Sequence, residues 1–357
     1  MHKPVVIVGG GPAGLAAAIE LGSRCIVFEQ GRLPHDKTCG GMLTPIVQRW
    51  LVERGFKKEN FAATYRDVNL YFDDEQVALH YDYPIIAALP RVALSRFLLE
   101  KASEAGAEIL TGSEVKSVNV DAQQIRVGRE TVPYAALIVA SGHGNPVDKP
   151  LFDYGYTCDT PLFTLQYRLH HVPFDRLATG WSMSFGPNYT WAMGLGSHGV
   201  HVGIVGPNGH WVLKRGLKVW FERLGLPMPE REPDYDFVPF VPSRVALGRD
   251  VCVIGDTAGL AAPMTGEGIL SAIMSGQWAA RRILNPGYAG EELALIHSRQ
   301  RLQRFLFGTR RNVAWLRRTN RIIRRLADYK LGRQALAWLF GMSPMTAHHK
   351  EVIHRPG

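Results

Sequence analysis

The chain is poor in cysteine. Cys25, Cys39, Cys158 and Cys252 are scattered through 357 residues, and none forms a CxxC pair. That spacing argues against a structural zinc site, an iron–sulfur cluster and a disulfide framework, and it fits a reducing cytoplasm. The histidine pairs His170–His171 and His348–His349 stand without an acid cluster. Neighbours on a strand point to opposite faces, so neither pair is expected to hold a metal. Long hydrophobic runs are also missing. No apolar stretch reaches the roughly 20 residues that cross a bilayer, and the first ten residues begin a strand rather than a secretion signal. Repeats and low-complexity tracts are absent. What is left is an ordinary globular composition, 46% apolar and 20% charged, long enough for two or three subdomains around a sizeable core.

Acidic residues are scarce in one place only. Twelve Lys/Arg between Arg299 and Arg333 face the single acid Asp328, so the formal net charge of +9 belongs to this segment and the rest of the chain is near neutral.

The segment PVVIVGGGPAGLAAAIELG (4–22) reads as a buried parallel strand, a turn and a helix. Gly9, Gly11 and Gly14 form G-x-G-x-x-G at the junction. They serve, in order, a tight turn, close backbone approach to a diphosphate, and close helix-on-strand packing. Pro12 and Ala13 open the helix, whose N-terminal N–H groups and dipole favour an anion. Glu29, followed by Gln30, closes the next strand, RCIVFEQ, where an acid accepts hydrogen bonds from a ribose hydroxyl. Further on, DVNLYFDD and QVALHYDY alternate as an antiparallel pair. RVALSRFLLEKASEAGAEI is helical, AALIVASG is another buried strand, and strands are expected to predominate from about 155 to 240.

A second glycine-rich loop, GDTAGLAAPMTGEGI, follows the strand VCVI at 251–254. Gly255, Gly266 and Gly268 leave backbone exposed, Pro263 stiffens the turn, and a helix begins near Gly268 and Ile269. Asp256 can bind a sugar-like hydroxyl, and the helix N-terminus can stabilise negative charge on a reduced ring. NAD alone needs no such late loop. FAD does, because its ribityl chain and isoalloxazine lie far from its adenine.

On these motifs the sequence resembles the FAD-dependent oxidoreductases related to p-hydroxybenzoate hydroxylase. The resemblance implies that Asp256 binds the ribityl chain, that Arg91 faces the flavin dinucleotide and that the backbone of Val115 contacts adenine. KTCGGMLTP, with Cys39, Gly40 and Gly41, and the Y-x-W of Tyr189 and Trp191, resemble the geranylgeranyl reductase family within that superfamily. The resemblance spans about residues 4–285. It implies a reductase that saturates carbon–carbon double bonds of an isoprenoid or other apolar, lipid-like substrate. Tyr189 and Trp191 would line the substrate channel. Cys39 would lie beside the flavin, either as a proton donor or as a small packing residue. Where the family motif continues with Phe and Pro, this chain has Met193 and Gly194. Two alternatives stay open on the same scaffold: a flavin monooxygenase of an aromatic or lipid-like molecule, and a non-catalytic flavoprotein electron carrier at a membrane. The W-x-W-x-I-P stretch of flavin halogenases is not matched by GWSMSF at 180–185.

The expected fold class is α/β. A Rossmann-type FAD-binding domain (1–154 and 243–285) carries an inserted antiparallel substrate-binding sheet (155–242), which strands near 66–83 join. A basic helical region (286–357) follows. No NAD(P)H domain is visible, so NAD(P)H is expected at most as a transient reductant. In the basic tail, Leu302, Phe305 and Leu306, then Val313, Leu316, Ile323 and Leu326, recur at helical spacing among arginines. This suggests either a face lying on an anionic membrane or helices packed on the body. No nucleic-acid module accompanies the arginines, and nucleic acid is not an expected partner.

Overall fold

The computed structural model describes residues 3–72, 75–143, 151, 153, 162–182, 188–241, 244–247, 250–307 and 313–343. Cys158 and His348–His349 lie outside them. The chain opens with β1 (Val5–Val8), α1 (Pro12–Leu21) and β2 (Cys25–Glu29). Then come β3 (Met42–Leu43), α2 (Pro45–Glu53), β4 (Ala63–Tyr65), the hairpin β5 (Asp67–Phe72) and β6 (Glu75–His80), and β7 (Ile86–Ala88). Helix α3 (Arg91–Glu104) leads to β8 (Glu108–Thr111), the meander β9 (Val115–Asn119), β10 (Gln124–Val127) and β11 (Glu130–Pro133), and β12 (Ala136–Val139). Beyond lie β13 (Leu162–Leu169), β14 (Leu177–Ser182), β15 (Asn188–Gly194), β16 (Val200–Gly206), α4 (His210–Leu224) and β17 (Asp234–Val238). The chain then returns through β18 (Val251–Val253) and α5 (Ile269–Leu284) to α6 (Glu291–Phe307), α7 (Val313–Ala327) and α8 (Lys330–Leu339).

Two large sheets carry the molecule. The first is parallel, in the order β18-β12-β1-β2-β8. Its central strands are buried on both faces, which is why they read as unbroken apolar runs. Close packing of α1 on α5 depends on Gly276, where a Cβ would overlap the carbonyl oxygen of Ala13. Gly276→Ala should therefore cost about 1–3 kcal/mol, read as a lower Tm. An unchanged Tm would show that α5 can shift freely.

The second sheet has seven strands, in the order β17-β13-β16-β15-β14-β5-β6. The hairpin β5–β6 joins it through a parallel pairing of β5 with β14. One face packs on α4 through Leu165, Tyr167, Leu213, Leu217 and Phe221. Strands predominate in this stretch as expected, and the 15-residue helix α4 interrupts them. Its apolar positions recur at helical spacing, but they pack on a sheet face the sequence does not reveal.

The opposite face of the same sheet meets the C-terminal helices. Ile323, Ala327, Leu336, Ala337 and Phe340 share one buried cluster with Trp181, Tyr189 and Trp191. Of the apolar positions read in the sequence as either a membrane face or a packing face, Ile323 and Leu326 point inward here. The exposed stripe of α7 is a different one, Arg318, Ile322, Arg325 and then Tyr329 beyond its end. No helix among the described residues is long and apolar enough to cross a membrane.

Candidate functional site

A cleft of about 610 Å³ runs between the two sheets. Its walls come from the first glycine loop, the strap 35–44, β13, β15, β17, the second loop and the end of α8. One cavity therefore joins both nucleotide-style loops to the aromatic face of the seven-stranded sheet.

At the dinucleotide end, Gly9 has φ +106°, and a Cβ there would overlap the carbonyl of Ala140. A Cβ at Gly14 would strike the carbonyl of Gly9, so α1 sits directly against the turn. Gly11, Pro12 and Ala13 line the cleft. The Glu29 carboxylate accepts N–H bonds from Gly10 at 2.6 Å and Gly31 at 2.8 Å, which fixes it at the end of β2 beside Gln30. Arg91, at the start of α3, also lines the cleft. It is 6% exposed, its Nη1 has no partner, and burial lowers its pKa. A buried guanidinium with an unused N–H calls for an anion.

At the other end, Gly255 (φ +61°) turns the chain out of β18 and Gly266 (φ +69°) turns it into α5. Between them stands Asp256, whose Oδ2 lies 3.1 Å from Lys37 Nζ. Lys37 also approaches Asp236 at 3.5 Å, and Asp256 foremost raises its pKa. The loop is braced from behind. Gln300 Nε2 donates to the carbonyls of Gly259 (3.0 Å) and Ala261 (2.9 Å), while Gln303 Oε1 accepts from Met264 N–H (3.3 Å). Glu267 Oε1 accepts from Leu270 N–H at 2.6 Å at the start of α5. Burial raises the pKa of Glu267, and the nearby buried Arg299 opposes that shift.

The strap 37–41 crosses the middle of the cleft. Gly41 has φ +76°, and a Cβ there would sit 2.7 Å from the carbonyl of Leu89. A Cβ at Gly40 would sit 3.1 Å from Trp191 Nε1. The two glycines thus let the strap thread between β7 and β15. Cys39 lines the cleft, and its Sγ accepts the Gly41 N–H at 3.4 Å. His201, buried on β16, donates Nδ1–H to the Cys39 carbonyl at 3.1 Å. The strap is tied further by the pairing of Arg168 with Asp36.

Beside the strap, Tyr189, Trp191, Phe340 and Met342 line the cleft as an aromatic chamber. Trp191 stacks on Tyr189 with centroids 6.1 Å apart, Tyr189 meets Trp181 at 5.3 Å, and Trp181 stacks on Phe340 at 5.6 Å.

Most residues expected at the site do meet in this one cleft. Gly14, Val115, Gly255 and Pro263 do not line it. Gly14 and Gly255 shape its loops from behind, Pro263 is buried in the second loop, and Val115 is buried at the start of β9. Lys37, Gln166, His201, Phe340 and the bracing residues of α6 were not anticipated. A lysine beside CGG and a polar residue at every second position of β13 were the available signals. Among the described residues no group of three His, Cys, Asp or Glu is placed to hold a metal.

Two glycine loops, the Glu29 and Asp256 carboxylates and the buried Arg91 line one cleft and could hold an extended dinucleotide. The comparisons agree. Residues 2–131 match the family described as "FAD binding domain", and the reading of the chain as an FAD-dependent oxidoreductase is supported. It is 28% identical over 329 residues to the menaquinone reductase of Mycolicibacterium smegmatis, covering 79% of this chain and 76% of that one. It is 27% identical over 311 residues to the geranylgeranyl diphosphate reductase of Rhodobacter capsulatus, covering 78% and 74%. In fold it is similar to a geranylgeranyl bacteriochlorophyll reductase-like protein from Thermoplasma acidophilum. That similarity has a TM-score of 0.65 at 20% identity, over 97% of this chain and 94% of the other.

Proposed function

We propose that the protein is a reductase of the geranylgeranyl reductase type, which saturates carbon–carbon double bonds of an isoprenoid or similarly apolar substrate. The observation that carries this reading is the aromatic chamber, which is continuous with the flavin cleft and meets it at the Cys39–Gly41 strap. A long apolar chain gains about 25 cal/mol for each Å² it buries there. The names of the curated relatives point the same way.

Gly9, Gly11, Glu29 and Arg91 would hold the dinucleotide, and Asp256 with the start of α5 would hold the flavin end. When bound, FAD supplies the two-electron chemistry, a hydride equivalent for the alkene. In this reading Tyr189 and Trp191 orient the chain, and Cys39, which lines the cleft on the strap, gives the proton. Cys39→Ala should lower kcat while leaving flavin content unchanged. Unaltered turnover would reduce Cys39 to a packing role. In this reading the flavin is reduced by visiting NAD(P)H or by another electron donor.

The deciding experiment is mass spectrometry of products from photoreduced enzyme given prenyl lipids and prenylated quinones, without oxygen and in air. A gain of hydrogen pairs without oxygen supports the reductase. A gain of an oxygen atom only in air means a monooxygenase. No product in either tube points to the electron carrier.

Ile322, 43% exposed on the outer stripe of α7, and Leu331, 80% exposed in the first turn of α8, stand near arginines and suit a peripheral contact with an anionic membrane. Co-sedimentation with anionic vesicles should fall in Ile322→Glu/Leu331→Glu. Unchanged sedimentation removes the membrane from the reading.

A further inference from the structure

One wall of the chamber carries polar groups that no described residue satisfies. Gln166, on β13, is 0% exposed and lines the cleft. Neither its Nε2 nor its Oε1 has a hydrogen-bond partner. In the register of the sheet Gln166 lies opposite Gly203 on β16, and Gly203 lies opposite Trp191 on β15. The missing side chain at Gly203 is replaced by the Trp191 indole, which lies across the space its Cβ would need. Trp191 therefore reaches over β16 toward β13. Its own Nε1 is buried without a partner, next to Gly40. Two donors and one acceptor thus stand unpaired on neighbouring strands of one chamber wall, beside the strap.

An unpaired buried polar group costs about 1–3 kcal/mol. A pure hydrocarbon in the chamber would leave that cost standing. A ligand oxygen would remove it. We infer that Gln166 and the Trp191 indole N–H form a polar subsite for a carbonyl or hydroxyl oxygen on the substrate's head group. The substrate is then an apolar chain attached to an oxygen-bearing head, and not a plain hydrocarbon. The side-chain amide supplies either a donor or an acceptor, so it can serve both oxygen types. The inference rests on the reading of the chamber as the substrate site, but binding tests it without turnover.

The test uses the FAD-loaded, oxidised protein and two probes of matched chain length, a prenylated naphthoquinone and an unsubstituted polyprenyl hydrocarbon. Binding is followed by tryptophan quenching for wild type and for Gln166→Met, whose side chain is similar in size and apolar. Wild type should prefer the quinone by about tenfold or more, one charge-free hydrogen bond being worth about 1 kcal/mol and a freed orphan more. Gln166→Met, which leaves the Trp191 N–H in place, should reduce that preference severalfold while the ligand-free Tm stays level or rises, because replacing an unsatisfied polar group by an apolar one of like shape is nearly neutral. Equal affinity of wild type for both probes, no binding of either, or a preference undiminished in Gln166→Met each overturns the inference. So does a collapsed Tm, which makes the amide structural, or loss of FAD, which makes it a cofactor contact. A quinone preference that holds while the product assay shows no reduction would remove the reductase reading and leave the subsite standing.

Discussion

Asp256→Ala and Glu29→Ala should each leave the purified protein largely free of flavin. Glu29 is held by two backbone N–H groups at the dinucleotide end and Asp256 stands at the far end of the same cleft, so the two act on different parts of one ligand. A hydrogen bond to a charged group contributes about 1.5–3 kcal/mol, and each 1.4 kcal/mol is tenfold in affinity. Each substitution should therefore weaken FAD about 10- to 100-fold. Their distance predicts near-additive effects in the double variant. Asp256→Ala has a further consequence, because Lys37 keeps only Asp236 as a partner, at 3.5 Å. Asp256→Asn should fall between wild type and alanine, since it keeps hydrogen bonding and loses the charge. The absorbance ratio at 450 and 280 nm, in the roughly standard flavin bands, reads the outcome. Full flavin content in both alanine variants would overturn the reading of the cleft as a dinucleotide site.

Acid should loosen the junction between strap and sheet. Burial, helped by Arg168, lowers the His201 pKa from 6.5 to about 4. In the unfolded chain this histidine takes up a proton below about pH 6.5, whereas in the folded protein it does so only near pH 4. The unfolded state binds more protons in that window. The stabilisation is therefore complete above pH 6.5 and is lost as pH falls toward 4. The full effect is about 3 kcal/mol, and about 2 kcal/mol is gone by pH 5. His201→Asn still offers an N–H to the Cys39 carbonyl but does not titrate. Its stability should fall less steeply than wild type between pH 7.5 and 5 in urea titrations. Parallel slopes would show that His201 is not the group responsible. His35, His143 and His297 are shifted down by burial in the same sense, so the difference between the two proteins is the informative quantity.

Both glycine loops were legible because their function is local. A positive φ, a missing Cβ and a carboxylate at a strand end are written in a few consecutive residues. The parallel core strands were legible for a similar reason, since burial on both faces leaves a run with no polar interruption. The chamber was harder. In LFTLQYRL the alternation is correct, but Thr164, Gln166 and Arg168 look like a solvent face. Leu165, Tyr167 and Leu169 pack in the cluster shared with α4, while the polar set turns to the cleft. Periodicity tells two faces apart without saying what covers each. The tail was legible in part. Its amphipathic spacing allowed either a membrane face or packing on the body, and Ile323 and Leu326 pack on the aromatic sheet face. Phe340 and Met342 were invisible because a chamber wall made by the end of the last helix is a purely long-range fact.

The bracing of the second loop by α6 sets an order of events in the life of the chain. Gly9, Asp256 and Gln303 must all be in place before the cleft has its two ends and its back. The first glycine loop is synthesised early, yet it has only half a ligand site to offer until the helices after Glu291 dock. Contacts this distant in sequence form slowly. Flavin capture is therefore expected to be a late step of maturation, and a bound yellow chromophore reports that the C-terminal helices have reached their seats.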